Sequence, residues 1–209
     1  TTLQGTFYQT GQRCTASSRI IVERGIYARF RDALAQRTRE LRVGHALHPS
    51  SQIGPVASAA QLQQNLDYVR LGCEEGAHLV HGGERIRAST EGYYMTPTLF
   101  ADCDNGMRIC REEIFGPVVT LQAFDSDQDA LQLANAGEYG LSASLFTNDL
   151  SRAHRLAAGL RVGMVWINTW LMRDLRTPFG GSGASGLGRE GGFEAMRFFT
   201  EPRNIGIAL

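Results

Sequence analysis

The chain has 209 residues, of which 43% are hydrophobic and 20% are charged, and these fractions are typical of one globular domain or slightly more. Basic and acidic residues number 21 each, so the composition does not indicate a surface for nucleic acid or for acidic membranes. No apolar run approaches the roughly 20 residues that a membrane-spanning helix requires. We therefore expect neither nucleic acid nor a membrane as a partner.

The four cysteines are widely spaced and form no Cys-x-x-Cys pair and no cluster with histidine. This spacing argues against a zinc site, and we expect no bound metal. The N-terminal residues lack the charged and apolar regions of a signal peptide. Four cysteines in a chain of this kind are typical of reduced thiols, so we expect a cytoplasmic protein.

Strands and helices are predicted in alternation along most of the chain. Apolar and β-branched runs predict strands at 18–22, 78–83, 92–100, 117–124, 141–147 and 162–168. Helical spacing predicts helices at 26–41, 58–76, 126–137 and 149–160, and a further helix that runs through Phe199. Ser126 or Asp127 is expected to cap the third helix, and Asp149 or Ser151 the fourth. This order predicts an α/β fold with a largely parallel sheet and flanking helices.

Residues 181–186, GSGASG, match the dinucleotide-binding pattern G-x-G-x-x-G. A phosphate-binding loop of that kind follows a buried strand and opens a helix within a βαβ unit. Here the preceding residues 176–179 are not the core of a strand, and few residues remain for a second strand. We expect a flexible or tightly packed loop instead.

Cys14 lies on a turn of small and polar residues, directly before the β-branched run Ile20, Ile21 and Val22. Two interpretations are open for a thiol in this position. A free cysteine packs as a small hydrophobic residue, and it also serves as a nucleophile where a substrate can reach it.

Four motifs follow one another along the chain: GQRCTA around Cys14, EEIFGPV at 112–118, VWIN ending at Asn168, and PFGG with SGLGRE at 178–190. In this order they resemble the C-terminal part of the aldehyde dehydrogenase superfamily. The resemblance implies a catalytic domain at 1–182, then a C-terminal loop, helix and oligomerisation strand at 183–209, and hence a homodimer or homotetramer. It also implies that the N-terminal cofactor-binding domain, with the general-base glutamate and the oxyanion-hole asparagine, is absent from this chain.

The resemblance also implies a reaction for Cys14, which matches the nucleophile of the family. Its thiolate attacks an aldehyde to give a thiohemiacetal, hydride passes to NAD or NADP, and water hydrolyses the resulting thioester. The small residues Gly11, Thr15 and Ala16 leave room for the substrate and let the Cys14 amide N–H face the developing oxyanion.

Glu113 and Phe115 match the contacts that the family makes to its cofactor. The carboxylate of Glu113 is expected to accept hydrogen bonds from the ribose hydroxyls on the nicotinamide side. The ring of Phe115 is expected to pack beside that ribose. Glu112 points in the opposite direction, and we expect it to be a surface charge.

The remaining candidates concern the substrate. Asn168 matches a position that shapes the active site, and a structural amide at the end of a strand is an equal alternative. Phe179 matches an aromatic residue of the substrate tunnel, with core packing as its alternative. Residues 168–181 are also similar to enzymes that oxidise 2-hydroxymuconate and 2-aminomuconate semialdehydes, whose substrates carry a carboxylate. Arg176, or alternatively Arg173, is expected to bind that carboxylate as a bidentate partner.

The sequence therefore predicts an NAD(P)-dependent aldehyde dehydrogenase, represented by its catalytic portion and inactive as a dehydrogenase by itself. Two other functions remain open. One is a non-catalytic assembly module that acts through the C-terminal tail, and the other is an esterase or acyl-thiol transferase that uses Cys14 alone.

Overall fold

A computed structural model describes residues 1–87 and 90–209. The helices are α1 (Thr2–Phe7), α2 (Arg24–Arg39), α3 (Ala59–Glu74), α4 (Arg108–Arg111), α5 (Asp127–Asn135), α6 (Leu150–Gly159) and α7 (Gly192–Phe198), and a 3₁₀ turn covers Tyr8–Gly11. The strands are β1 (Arg19–Glu23), β2 (His78–His81), β3 (Arg85–Ile86), β4 (Tyr94–Met95), β5 (Thr98–Ala101), β6 (Val118–Phe124), β7 (Tyr139–Gly140), β8 (Ser142–Leu145), β9 (Met164–Ile167) and β10 (Ser182–Gly183).

The main sheet has the strand order β1-β6-β5-β2. Its strand β6 is parallel to both neighbours, β1 and β5, whereas β2 is antiparallel to β5. Strands β8 and β9 form a separate parallel pair, and β3 with β4 and β7 with β10 form short antiparallel pairs. The predicted α/β fold with a largely parallel sheet and flanking helices is confirmed.

Helices cover both faces of the main sheet. Neighbouring side chains on one strand point to opposite faces. On β5, Leu99 belongs to a buried cluster with Leu34 of α2, while Phe100 belongs to a second cluster with Leu62 of α3. The sheet is therefore the middle layer between α2 and α3.

Three helices begin at side-chain caps, which satisfy a backbone N–H that has no partner inside the helix. Ser58 accepts a hydrogen bond from the N–H of Gln61 at the start of α3. Of the candidates for the later helices, Ser126 caps α5 and Asp149 caps α6. Each cap contributes about 1 kcal/mol to the stability of its helix.

Some expected elements differ in the structure. The strand expected over 92–100 is divided into β4 and β5, because Pro97 has no N–H to donate to a strand ladder. Residues 201–209 form neither helix nor strand in this single chain, so the expected oligomerisation strand is not made within it. A strand needs a partner for its backbone hydrogen bonds.

The glycine-rich stretch 181–186 is a packed loop that does not open a helix. Part of it forms β10 against β7, and α7 begins only at Gly192. Gly183 has φ +59°, and a Cβ there would collide with the carbonyl oxygen of Glu138. Gly183 therefore serves close packing, whereas Gly186 has open space around it and a φ of +128°, which favours glycine. The stretch lacks the strand-to-helix setting of a phosphate-binding loop, in agreement with the expectation of a flexible or tightly packed loop.

The order of the sheet brings two sequence motifs to one edge. Because β1 and β6 are adjacent and parallel, the segments that precede them lie side by side. Cys14 precedes β1, and residues 112–117 precede β6. The N–H of Thr120 also donates to the carbonyl of Ser18 at 3.1 Å, which extends the pairing toward Cys14.

We expect Leu99→Ala to lower the free energy of unfolding by about 2–5 kcal/mol, because it empties space between the sheet and α2. Leu99 is 0% exposed. Urea denaturation followed by circular dichroism measures the loss in the free energy of unfolding. Leu47→Ala is the matched control, since Leu47 is 86% exposed, and its effect should stay within about 0.5 kcal/mol. Equal losses in the two variants would contradict the layer assignment.

Candidate active site

The loops that carry Cys14 and Phe115 touch through the backbones of two glycines. Gly11 has φ +65°, and a Cβ at this position would collide with the carbonyl oxygen of Gly116. A Cβ on Gly116 would in turn collide with the amide of Asn65, which is fully buried on α3. Only glycine fits at these positions, so the two loops are held at a fixed separation.

Cys14 lies at the top of a tight turn and its side chain is exposed. The N–H of Ala16 donates to the carbonyl of Arg13 at 2.9 Å and closes the turn, and the N–H of Ser17 donates to Gly5 at 2.9 Å. Within residues 1–87 and 90–209, the amide N–H of Cys14 has no hydrogen-bond acceptor. Thiol and amide are thus both available to a ligand.

The residues just before this turn adopt an unusual backbone conformation. Gln9, Thr10 and Gly11 all have positive φ. For a residue with a Cβ this conformation costs about 1–2 kcal/mol, and it persists only where the surroundings impose it. Here the Thr10 hydroxyl donates to the carbonyl of Gly54 at 3.2 Å, and the Gln12 side chain accepts from the N–H of Ala57 at 2.8 Å.

Helix α3 supports the loop that carries Phe115. The side chain of Gln61 donates to the carbonyl of Ile114 at 3.0 Å, and that of Gln64 donates to the same oxygen at 3.4 Å. The next residue, Phe115, has φ +55° and is 39% exposed. These amides fix the peptide that precedes Phe115, so its ring is presented away from the core.

Cys14, Glu113 and Phe115 line one open cavity. The structure therefore brings together the three residues that the family resemblance assigned to the nucleophile and the cofactor contacts. Thr6 also lines this cavity, and its hydroxyl is buried without a hydrogen-bond partner among the described residues. The cavity thus offers a thiol, a carboxylate and an aromatic ring, while the Thr6 hydroxyl at its wall is buried.

Glu112 and Glu113 have different surroundings. Glu112, which we expected to be a surface charge, accepts two hydrogen bonds from Arg108, at 2.7 and 3.0 Å, and one from the hydroxyl of Tyr68 at 2.7 Å. These bonds lower the pKa of Glu112, while partial burial and then the bond to Glu112 raise the pKa of Tyr68 to about 12.

Glu113 is exposed and makes no hydrogen bond or ion pair with other described residues, so its oxygens are open to a ligand.

Asn168 lies outside this cavity and holds two strand ends together. Its side chain accepts from the N–H of Thr147 at 2.9 Å and donates to the carbonyl of Thr147 at 2.8 Å. It also has φ +57°. This geometry favours the structural alternative, the amide at the end of a strand.

Phe179 and Arg176 also lie outside the residues that line the cavity. Phe179 is half-buried, and the guanidinium carbon of Arg173 lies 4.4 Å from the centre of its ring. Arg176 has an 88% exposed side chain that pairs with Asp174 at 2.5 Å. This pair raises the pKa of Arg176 and lowers the pKa of Asp174.

Trp170 contacts the Cys14 turn, and the sequence analysis did not select it. Its indole N–H donates to the carbonyl of Thr15 at 2.9 Å. The sequence shows only that a tryptophan lies two residues after the VWIN motif. That position does not predict a contact with a turn 155 residues away. Thr6 and Arg13 also line the cavity; both are close to Cys14 in the sequence, but no local pattern assigned their side chains to it.

No group of three or more His, Cys, Asp or Glu residues able to hold a metal ion occurs in the part of the chain that the structure describes. Among these same residues, no helix has the length and apolar character needed to cross a membrane.

We expect Gly11→Ala to lower the free energy of unfolding by more than about 1 kcal/mol, because it adds a Cβ to a residue with positive φ that faces the Gly116 carbonyl. Gly25→Ala is the matched control: no atom lies within 4 Å of its added Cβ, and alanine in α2 should stabilise the protein by roughly 0.5–1 kcal/mol. Thermal unfolding measures both changes. A neutral Gly11→Ala would show that the two loops are not in close contact.

Comparison with known proteins places these motifs in a family. A model of the aldehyde dehydrogenase family matches residues 1–205. The chain is 41% identical over 210 residues to the 2-aminomuconic 6-semialdehyde dehydrogenase of Pseudomonas sp, covering 99% of this chain and 43% of that protein. It is 44% identical over 206 residues to betaine aldehyde dehydrogenase 1 of Rhizobium meliloti, covering 98% and 42%.

Solved structures agree with the sequence comparison. HpcC from Thermus thermophilus superposes with a TM-score of 0.93 at 43% identity, covering 99% of this chain and 43% of that one. Betaine aldehyde dehydrogenase from Staphylococcus aureus, in complex with NAD⁺, superposes with a TM-score of 0.92 at 37% identity, covering 95% and 40%. The chain thus spans less than half the length of these relatives. With the family matched over nearly its whole length, the chain belongs to the aldehyde dehydrogenase family.

Proposed function

We propose that this chain supplies the nucleophile and the nicotinamide-side contacts of an NAD(P)-dependent aldehyde dehydrogenase, which converts an aldehyde into a carboxylic acid. The observation that carries the proposal is the cavity shared by Cys14, Glu113 and Phe115, which come from two distant segments. A relative from Staphylococcus aureus is crystallised with NAD⁺, which favours NAD as the cofactor.

Cys14 performs the covalent steps of the proposed reaction. Its thiolate attacks the aldehyde carbon, a C–S bond forms, and the aldehyde oxygen becomes the oxyanion of a thiohemiacetal. The Cys14 amide N–H, which has no acceptor among the described residues, donates to that oxyanion. Beside Glu113 and Phe115, NAD would supply the acceptor for the hydride that leaves the same carbon; with this loss the C–O⁻ becomes the C=O of a thioester on Cys14. Water then releases the acyl group from Cys14 as the carboxylic acid.

The residues beside Cys14 fit a nicotinamide riboside. Glu113 is an acceptor without an internal partner among the described residues, and an ionised carboxylate suits two neighbouring ribose hydroxyls. Phe115 offers an exposed ring next to it. The general base, a second oxyanion donor and the dinucleotide-binding domain are not assigned to residues of this chain, so the activity is proposed for the whole protein.

The test of the nucleophile is Cys14→Ala in the protein that contains this chain. With NAD and 2-aminomuconate 6-semialdehyde, we expect NADH formation, followed by ultraviolet absorbance, to fall roughly 10⁴-fold or more. Cys73→Ala is the control, since Cys73 is a second exposed thiol outside the cavity, and it should keep full activity. A Cys14→Ala variant that still forms NADH would remove the basis of the proposal.

We further propose that the substrate is a semialdehyde with a carboxylate, and that Arg176 binds this carboxylate. The relative from Pseudomonas acts, by its name, on such a compound. Arg176 is held only by Asp174 at the surface among the described residues, and an exposed ion pair of this kind contributes about 0–1 kcal/mol. A substrate carboxylate can therefore compete for its guanidinium. Arg13, which lines the cavity, places a positive charge near Cys14.

Arg176→Gln should raise KM for the carboxylate-bearing semialdehyde about 10- to 100-fold, because a charge-assisted bidentate contact is lost. KM for a neutral aldehyde should stay unchanged. Arg29→Gln, on the exposed side of α2, is the charge-matched control, and Arg173→Gln tests the alternative arginine. An equal effect of Arg176→Gln on both aldehydes, or a preference of the wild type for betaine aldehyde, would refute the anionic substrate.

Three further proposals concern the setting of this activity. The division into a catalytic domain at 1–182 and a C-terminal segment at 183–209 follows the family resemblance. Assembly into a dimer or tetramer is supported by exposed apolar side chains near the C-terminus: Phe193, Met196, Phe198, Phe199, Ile205 and Ile207. A cytoplasmic location is supported by the four cysteines, all of which are free thiols.

A further inference from the structure

Trp170 is bonded to the turn that carries Cys14. Its indole N–H donates to the carbonyl oxygen of Thr15 at 2.9 Å, across 155 positions of the sequence. The N–H on the other side of the same peptide, that of Ala16, donates to Arg13 at 2.9 Å. The Thr15–Ala16 peptide is therefore held at both ends, and it cannot rotate without losing one of these bonds.

The ring of Trp170 also packs against the base of the turn. A Cβ on Gly5 would lie 3.2 Å from Cγ of Trp170 and 3.3 Å from the Ser17 hydroxyl, so ring, helix α1 and turn are in close contact. The guanidinium carbon of Arg13 lies 5.5 Å from the ring centre, within the range of a cation–π contact. The residues on both sides of Cys14 thus meet the same indole.

Trp170 itself is held on a rigid segment. Strand β9 ends just before it, and Asn168 is joined to Thr147 by two hydrogen bonds. Asn168 and Leu171, on either side of Trp170, both have positive φ. Such backbone persists only where the surroundings impose it. Trp170 therefore links the end of β9 to the Cys14 turn.

We propose that Trp170 is a positioning residue for the nucleophile. By fixing the Thr15–Ala16 peptide, it keeps the Cys14 amide N–H directed at the place where the oxyanion forms, while the thiol stays exposed. The inference deepens the proposed function and rests on it. It concerns a step that needs no cofactor, since acylation of Cys14 by an activated ester passes through the same oxyanion.

The test compares two reactions of Cys14 in this chain. Acylation by p-nitrophenyl acetate needs the oxyanion donor, whereas alkylation by iodoacetamide does not. Trp170→Phe keeps an aromatic ring but removes the indole N–H, and we expect it to slow acylation about 10- to 100-fold. Alkylation of Cys14, measured by mass spectrometry against the exposed thiol Cys73 in the same chain, should change less than about 2-fold.

Trp166→Phe is the matched control. Trp166 lies on β9, and its indole N–H also donates to a carbonyl, that of Met172 at 2.9 Å. Among the described residues it makes no hydrogen bond to the Cys14 turn. This variant should keep the wild-type ratio of acylation to alkylation. A Trp170→Phe protein with wild-type acylation, or with both rates lowered equally, would overturn the positioning role. Acylation that survives in Cys14→Ala would instead refute the nucleophile, so the two failures are distinguishable.

Discussion

The backbone of Gly11 lies directly against the carbonyl of Gly116, and the candidate site depends on this approach. It joins a loop before β1 to a loop before β6, two strands that are adjacent and parallel in the sheet. A side chain at either glycine would separate Cys14 from Phe115 by the width of that side chain. The distance between Cys14 and Phe115 is thus set by main chain rather than by flexible side chains.

Two supports outside the cavity keep these loops in place. The amides of α3 bind the peptide before Phe115, and Trp170 binds the Thr15–Ala16 peptide of the Cys14 turn. Both supports are hydrogen bonds to backbone carbonyls, those of Ile114 and Thr15, and they hold the main chain close to residues with strained backbone conformations. Positive φ is concentrated around these supports, at Gln9, Thr10, Phe115, Asn168 and Leu171. The strain is offset by the packing of the surrounding layers.

Sequence reasoning located the chemical groups better than it located their surroundings. Cys14, Glu113 and Phe115 could be selected because the short motifs that contain them resemble those of the aldehyde dehydrogenase superfamily. Trp170 could not, since nothing in its neighbours indicates a contact with a distant turn. Thr6 and Arg13 are near Cys14 in the sequence, but the direction of their side chains into the cavity is visible only in the structure. The roles expected for Asn168 and Phe179 depended on side-chain direction. In the structure, the side chain of Asn168 is hydrogen-bonded to Thr147, and the ring of Phe179 packs against the guanidinium of Arg173.

The sequence by itself determined the alternation of strands and helices, two candidate caps for each of two helices, and the four family motifs, because each depends on residues that are close along the chain. Only the tertiary structure decided that β1 lies beside β6, that α2 and α3 take opposite faces of the sheet, and that the C-terminal tail makes no strand within this chain. Those outcomes depend on which distant backbone groups and apolar faces become partners. Pairings of that kind are selected by the packing of the whole chain, and no local pattern encodes them.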